Sequence, residues 1–216
     1  MRVLILDNYD SFTYNLYQNV GEILSACMSQ NEFDINVQRN DEIDIESIKQ
    51  YDPHRIIISP GPGNPADESY FGVCAATILD LGKTIPLLGV CLGMQGITHC
   101  FGGKISLAKV PMHGKVSEIN HDGLGLFDSV PQKLEVMRYH SLIVESIDLP
   151  ECLTITSVIR ETSTTSDSLE EQAGRGAEIM GIRHKTYPIV GVQFHPESFA
   201  TEGGKKIITN FLGLDS

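Results

Sequence analysis

The sequence predicts an α/β fold: an open, mostly parallel sheet with helices on both faces, plus a smaller antiparallel strand region. Three observations carry this. Up to residue 103, short runs rich in Val, Ile and Leu alternate with helix-length amphipathic segments. Those runs are almost continuously apolar, as strands covered on both faces are. Beyond residue 105, strand-like pieces follow one another with Gly, Pro and Asp turns between them, an α+β character added to the parallel core.

Taken in order, RVLIL (2–6) reads as a buried strand and FTYNLYQNVGEIL (12–24) as the helix after it. FDINVQR (33–39) has strand character, and DIESIKQ (44–50) is a short helix with Asp44 as its N-cap. HRIIIS (54–59) is an apolar strand, and ESYFGVCAATILDLG (68–82) is read as one helix ending at Gly82. IPLLGV (85–90) is a further strand, followed by a helix over LGMQGITHCFGG (92–103). KVSEIN, LEVMRYHSL, LTITSVIR, EIMGIRH and PIVGVQF are the strands of the second region, and EGGKKIITNFLG (202–213) closes the chain as a helix. ETSTTSDSLEEQAGRG (161–176) is polar and reads as a mobile surface loop. There is no internal repeat, and residues 1–216 are expected to form one domain.

Composition narrows the function. The chain has 216 residues, 41% of them hydrophobic, enough for a full core. Its 28 acidic residues outnumber 16 basic ones, for a net charge of −12. Nucleic acid is not an expected partner, because phosphate binding needs a basic face. The N-terminal apolar run stops at Asp7, too short for a signal peptide, and no stretch is long enough to span a bilayer. A cytoplasmic protein without a membrane partner is expected. The five cysteines, Cys27, Cys74, Cys91, Cys100 and Cys152, are scattered, odd in number and include no CxxC pair, which argues against a disulfide framework and a zinc site. No metal and no cofactor are expected.

One cysteine stands apart. Gly89-Val90-Cys91-Leu92-Gly93 has the form G-x-C-x-G at a strand-to-helix junction. A chain that turns so abruptly strains its apex residue and needs small neighbours. The apex projects above the carboxyl edge of the sheet, and the helix N-terminus stabilises a thiolate there. Alone, the pattern suits a buried structural cysteine as well as a nucleophile. A nucleophile needs a base, and the base an orienting group. GVQFHPES (191–198) offers both: in extended chain His195 and Glu197 face one way, with Pro196 stiffening the turn. His54, His99, His113, His121, His140 and His184 lack such a partner in the sequence, although His140 has neighbours of interest. SPGPGNP (59–65) makes a stiff glycine loop; with the Leu92 amide, the Gly63 amide is a candidate oxyanion hole, the alternative being an ordinary turn.

Together, SPGPGNP, LLGVCLGMQ and GVQFHPES, in that order and separation, resemble the class I, triad-type glutamine amidotransferases over essentially the whole chain. The resemblance implies a Cys91–His195–Glu197 triad that hydrolyses the side-chain amide of glutamine through a γ-glutamyl thioester. It implies that Gly61, Pro62 and Gly63 line the glutamine and oxyanion site, that Leu92 lends its amide, that Gln95 contacts substrate, and that Ser141 and Leu142 of RYHSL grip its amino-acid end. LDNYDSFTYNL (6–16) and MHGK (112–115) resemble the amidotransferase component of anthranilate synthase and of aminodeoxychorismate synthase. A chorismate-using synthase subunit is the partner this implies, with NYDSF and MHGK as candidate contacts. The amidotransferase components of GMP synthetase and carbamoyl-phosphate synthetase are the alternative. A few extra residues in 17–41 lean towards the fused or aminodeoxychorismate-type lineages.

Overall fold

A computed structural model describes residues 1–160 and 167–214. The chain runs β1 (Arg2–Asp7), α1 (Thr13–Cys27), β2 (Asp34–Arg39), α2 (Ile45–Tyr51), β3 (Arg55–Ile58), α3 (Glu68–Phe71), α4 (Cys74–Leu79), β4 (Leu87–Val90) and α5 (Leu92–Cys100). It continues with β5 (Ile105–Leu107), β6 (Lys115–His121), β7 (Leu134–Arg138), β8 (Leu142–Val144), β9 (Leu153–Ile159), α6 (Leu169–Gly174), β10 (Ile179–His184), β11 (Ile189–Val192) and α7 (Gly204–Leu212).

Among the described residues, nine strands form one sheet in the order β2-β1-β3-β4-β11-β10-β9-β6-β7. The first five are parallel to one another. β10, β9, β6 and β7 extend the same sheet in antiparallel fashion. β5 and β8 form a separate antiparallel pair. The sheet is buried on both sides because its strands send alternate side chains to opposite faces. Val3 and Ile5 of β1 join Ile57, Leu88 and Val90 under α1 and α7, whereas Leu4 and Leu6 join Ile56, Ile58 and Leu87 beneath α5. That two-sided burial produces the continuous apolar runs in the sequence.

Four expectations are corrected. The helix expected over 68–82 is broken: Gly72 has φ +45°, and Val73 donates its backbone N–H to Asn40 O at 2.9 Å, so a tertiary partner takes the place of the helical bond. LEVMRYHSL is two strands, because the chain leaves the main sheet after Arg138 and β8 pairs with β5, a strand not anticipated at all. Of the polar stretch 161–176, residues 161–166 lie outside the described ones, but 169–174 form α6. Ser168 caps it in a reciprocal capping box with Glu171, the S-x-x-E signal that the low apolar content obscured. Cys27 ends α1 instead of following it. Asp44 does cap α2, accepting from Ser47 N at 2.8 Å.

The glycines around β4 let α5 lie against the sheet. A Cβ at Gly89 would sit 2.5 Å from the carbonyl carbon of Gly93, and one at Gly93 would sit 2.5 Å from Ile58 O in β3. Gly93→Ala adds about 1 kcal/mol of helix propensity, but it forces a methyl into backbone that cannot move aside, and overpacking of this kind costs about 1–3 kcal/mol. Gly93→Ala is therefore expected to lower the urea unfolding midpoint; a raised midpoint would show that α5 has room to shift.

Candidate active site

Cys91 joins β4 to α5. Its backbone N–H donates to Val192 O at 2.8 Å, the last rung of the β4–β11 ladder, and its carbonyl accepts from Gln95 N at 3.0 Å, the first bond of the helix. Meeting both demands places Cys91 at φ +52°, ψ −102°, a conformation that costs a non-glycine residue about 1–3 kcal/mol. The side chain is thereby lifted to the carboxyl edge of the sheet at a helix N-terminus. It is 7% exposed and lines a small cavity.

Three residues beyond β11, His195 Nδ1 lies 2.6 Å from Glu197 Oε1, both side chains being almost completely buried. The loop that carries them is fastened at several points. His195 N bonds to Met137 O at 3.1 Å, and His195 O accepts from Thr201 Oγ1 at 2.6 Å. Thr201 Oγ1 in turn accepts from Met137 N at 3.0 Å. The Nδ1 contact leaves Nε2 to face the thiol. Nε2 is buried and makes no close, well-aligned hydrogen bond, yet Cys91 lies near enough to act on the ring. Burial pulls the imidazole pKa down; the interaction with Cys91, then the hydrogen bond and charge of Glu197, push it up and win, carrying it to about 10. His195 is thus a far stronger base than a free imidazole.

An aromatic pair covers this imidazole. Phe12 and Tyr139 stack at 5.2 Å between ring centres, and both meet His195 edge-on, at 5.8 and 5.2 Å. Phe12 belongs to NYDSF, whose Asn8 is buried and tied to the glycine loop through Ser59: Asn8 N donates to Ser59 Oγ and Asn8 Nδ2 to Ser59 O, both at 2.9 Å. Asp10 stands close enough to His195 to feel its charge; burial raises its carboxyl pKa.

The cavity beside Cys91 measures about 180 Å³, below the about 300–1,000 Å³ of drug-sized sites and suited to a small polar molecule. Gly61, Pro62 and Gly63 form one wall, Gln95 another, and Tyr139, His140, Ser141 and Leu142 the third. Gly63 has φ +83°, and a Cβ there would overlap the Tyr70 ring at 2.3 Å, so only glycine keeps this wall in place. A Cβ at Gly61 would strike Asn8 at 2.5 Å. Leu92 is the first residue of α5, where a backbone N–H has no partner within the helix. Every residue singled out in the sequence for the triad, the glycine loop and the substrate contacts thus falls within one neighbourhood.

Sequence reasoning missed three participants. His140 has a carboxylate partner after all: its Nε2 lies 3.2 Å from Glu178 Oε2, which also pairs with the buried Arg138 at 3.3 Å. Burial keeps His140 below the usual imidazole range, so its Nε2–H donates to Glu178. Burial would raise Glu178, but His140 and Arg138 hold it below the usual carboxylate value. His140 and Glu178 are 38 positions apart in the chain, a pairing that no local pattern reveals. Gln193 is the third: its Nε2 lies 3.4 Å from Cys91 Sγ. The alternation that linked His195 to Glu197 reaches Gln193 one step earlier. MHGK flanks the site through backbone bonds, Met112 N to His140 O at 2.9 Å and Gly114 N to Arg138 O at 3.0 Å. Among the described residues, no cluster of His, Cys, Asp and Glu could hold a metal ion, and no helix is long and apolar enough to cross a membrane.

The family model for class-I glutamine amidotransferases matches residues 4–213. Anthranilate synthase component 2 of Leptospira biflexa is 53% identical over 213 residues, covering 98% of this chain and 99% of that one. The component 2 of Pseudomonas aeruginosa is 45% identical over 97% of this chain and 94% of its own. The Bifunctional protein TrpGD of Thermotoga maritima is 47% identical over 99% of this chain, which spans 32% of that protein. Among solved structures, a Thermoplasma acidophilum protein assigned as part of a GMP synthase superposes with a TM-score of 0.76 at 26% identity, covering 99% of this chain and 92% of that one. By sequence and fold, the chain belongs to the class-I glutamine amidotransferases.

Proposed function

We propose that this chain is a glutaminase subunit that hydrolyses L-glutamine at Cys91 and delivers ammonia to a chorismate-using synthase subunit, making anthranilate. The observation that carries the reading is the junction itself: a strained cysteine at a helix N-terminus that lines a small cavity and stands next to a buried, carboxylate-held imidazole. The relatives named anthranilate synthase component 2 support the choice of partner. An aminodeoxychorismate synthase partner is the nearest alternative.

In this mechanism His195 takes the thiol proton, and the thiolate attacks the side-chain amide carbon of glutamine. The amides of Leu92 and Gly63 receive the oxyanion charge. His195 then protonates the departing nitrogen, ammonia leaves, and water hydrolyses the γ-glutamyl thioester to glutamate. Glu197 keeps the ring oriented and stabilises the imidazolium. Gln95, Ser141 and Leu142 hold the substrate, with Gly61 and Pro62 shaping the wall opposite. Ammonia loses its nucleophilicity when protonated in water, so the cavity has to open towards the partner; NYDSF and MHGK flank it and are the segments through which the partner contacts the site.

Glutamate release with and without the synthase and chorismate tests the reading. The pair is expected to turn over faster than the isolated chain, and Cys91→Ser is expected to show no detectable release. A rate indifferent to partner and chorismate would sink the coupling, and wild-type turnover in Cys91→Ser would sink the chemistry. The identity of the aromatic product separates anthranilate from aminodeoxychorismate.

Glu197→Gln is expected to lower kcat by about 10²–10⁴. It also bears on stability. The folded-state pKa of His195 lies above its unfolded value, so the stabilisation is complete below about pH 6.5 and fades as pH rises through about 10. The gap in urea midpoint between wild type and Glu197→Gln is therefore expected to be wider at pH 6 than at pH 10; a gap that widens with pH would contradict the assignment.

A further inference from the structure

The nucleophile has a second side-chain neighbour. Nε2 of Gln193 lies 3.4 Å from Cys91 Sγ, and the direction of that contact is fixed by a chain of amides. The carbonyl oxygen of Leu142 accepts from Gln95 Nε2 at 2.9 Å. A backbone carbonyl only accepts, so the Gln95 amide must present its nitrogen there. The same nitrogen lies 3.1 Å from Gln193 Oε1, so Gln193 turns its oxygen towards Gln95 and its NH₂ towards the sulfur. The reversed orientation would set N–H against N–H at one end and oxygen against sulfur lone pairs at the other. Gln193 has no exposed surface, and Val192 and Phe194 on either side are buried in the core. Its backbone N–H is held by Met180 O at 2.9 Å. The side chain therefore has one arrangement.

We propose that Gln193 is a catalytic residue of the glutaminase reaction: its side-chain N–H hydrogen-bonds the sulfur of Cys91 and stabilises the thiolate, while Gln95, in the wall of the substrate cavity, holds it in that orientation. The proposal rests on the reading of Cys91 as the nucleophile. A hydrogen bond made to the charged form favours that form, and more strongly in a buried site than in water. Each tenfold gain in thiolate population costs only about threefold in intrinsic nucleophilicity, so the net effect below the thiol pKa is favourable. The same N–H acts again when water attacks the thioester, because the sulfur that departs regains its negative charge. The donors are divided by atom: the amides of Leu92 and Gly63 serve the substrate oxygen, and Gln193 serves the sulfur. Gln95 thereby gains a second role, since the nitrogen that orders Gln193 also bonds the RYHSL segment.

The test is the pH dependence of Cys91 alkylation by iodoacetamide, followed by peptide mass spectrometry in wild type, Gln193→Met and Gln193→Glu. Methionine keeps the length and loses the donor; glutamate places an acceptor against the sulfur. The apparent midpoint is expected to rise by about one pH unit in Gln193→Met, giving about tenfold less thiolate and about threefold slower alkylation below it, and further in Gln193→Glu. Glutamine turnover by Gln193→Met should recover towards wild type at alkaline pH. A folded Gln193→Met with an unmoved midpoint overturns the proposal. Should neither variant fold, ¹H–¹⁵N spectra of the wild type decide. The Gln193 side-chain amide is expected to titrate with the alkylation midpoint and to stop doing so in Cys91→Ala; an amide that ignores the thiol overturns the proposal. Alkylation reads the thiol without glutamine turnover, so these outcomes are separate from the Cys91→Ser assay that tests the underlying reading.

Discussion

The hydrogen bond from Cys91 N to Val192 O holds the site in register. It extends the β4–β11 ladder by one residue and so fixes the nucleophile relative to everything that follows Val192. Gln193 is the next residue, His195 lies two further on, and Glu197 two beyond that. One backbone rung therefore sets the distances among sulfur, amide, imidazole and carboxylate. The strain at Cys91, about 1–3 kcal/mol, is offset by the burial of the strands and of α5 on either side. Residues more than 100 positions apart become neighbours because β11, late in the chain, returns to pair with β4 in the middle of the sheet.

The antiparallel strands complete the site from the other side. β7 and β8 carry Tyr139, His140, Ser141 and Leu142 across the cavity mouth, and each end of that segment is fastened. Ala108 N reaches Ser141 O at 2.8 Å, and Gln95 holds Leu142. Beneath it Glu178, at the edge of β10, pairs with both Arg138 and His140. A buried ion pair of this kind adds little net stability, but losing one partner leaves a stranded charge, so its contribution is to fix the segment in one position. The parallel strands thus supply nucleophile and base, and the antiparallel ones supply the wall against which a substrate rests.

Much of this was legible in the sequence wherever the determining signal was local. The apolar runs of β1, β3 and β4 report burial on both faces, the spacing of His195 and Glu197 reports a shared direction, and G-x-C-x-G reports an abrupt turn with no room for side chains. What escaped depended on distant partners. Gly72 breaks a helix because Asn40, far earlier in the chain, claims the next N–H. RYHSL leaves the sheet because β5 is there to pair with β8. Glu178 meets His140 only once β10 lies beside β9. The extent of α6 was different: its S-x-x-E cap was visible, and the polarity of the surrounding stretch outweighed it.

The central claim is that one thiol of five is set apart by its geometry. Cys74 is buried and its pKa is pushed up by burial, Cys100 is pushed to about 11 for the same reason, and Cys27 is exposed at the end of α1. Incubation with the glutamine analogue 6-diazo-5-oxonorleucine, followed by peptide mapping, tests this directly. The account predicts a single covalent adduct, on Cys91, with the exposed Cys27 untouched. An adduct on another cysteine in preference to Cys91, or none at all on a folded protein, would contradict it.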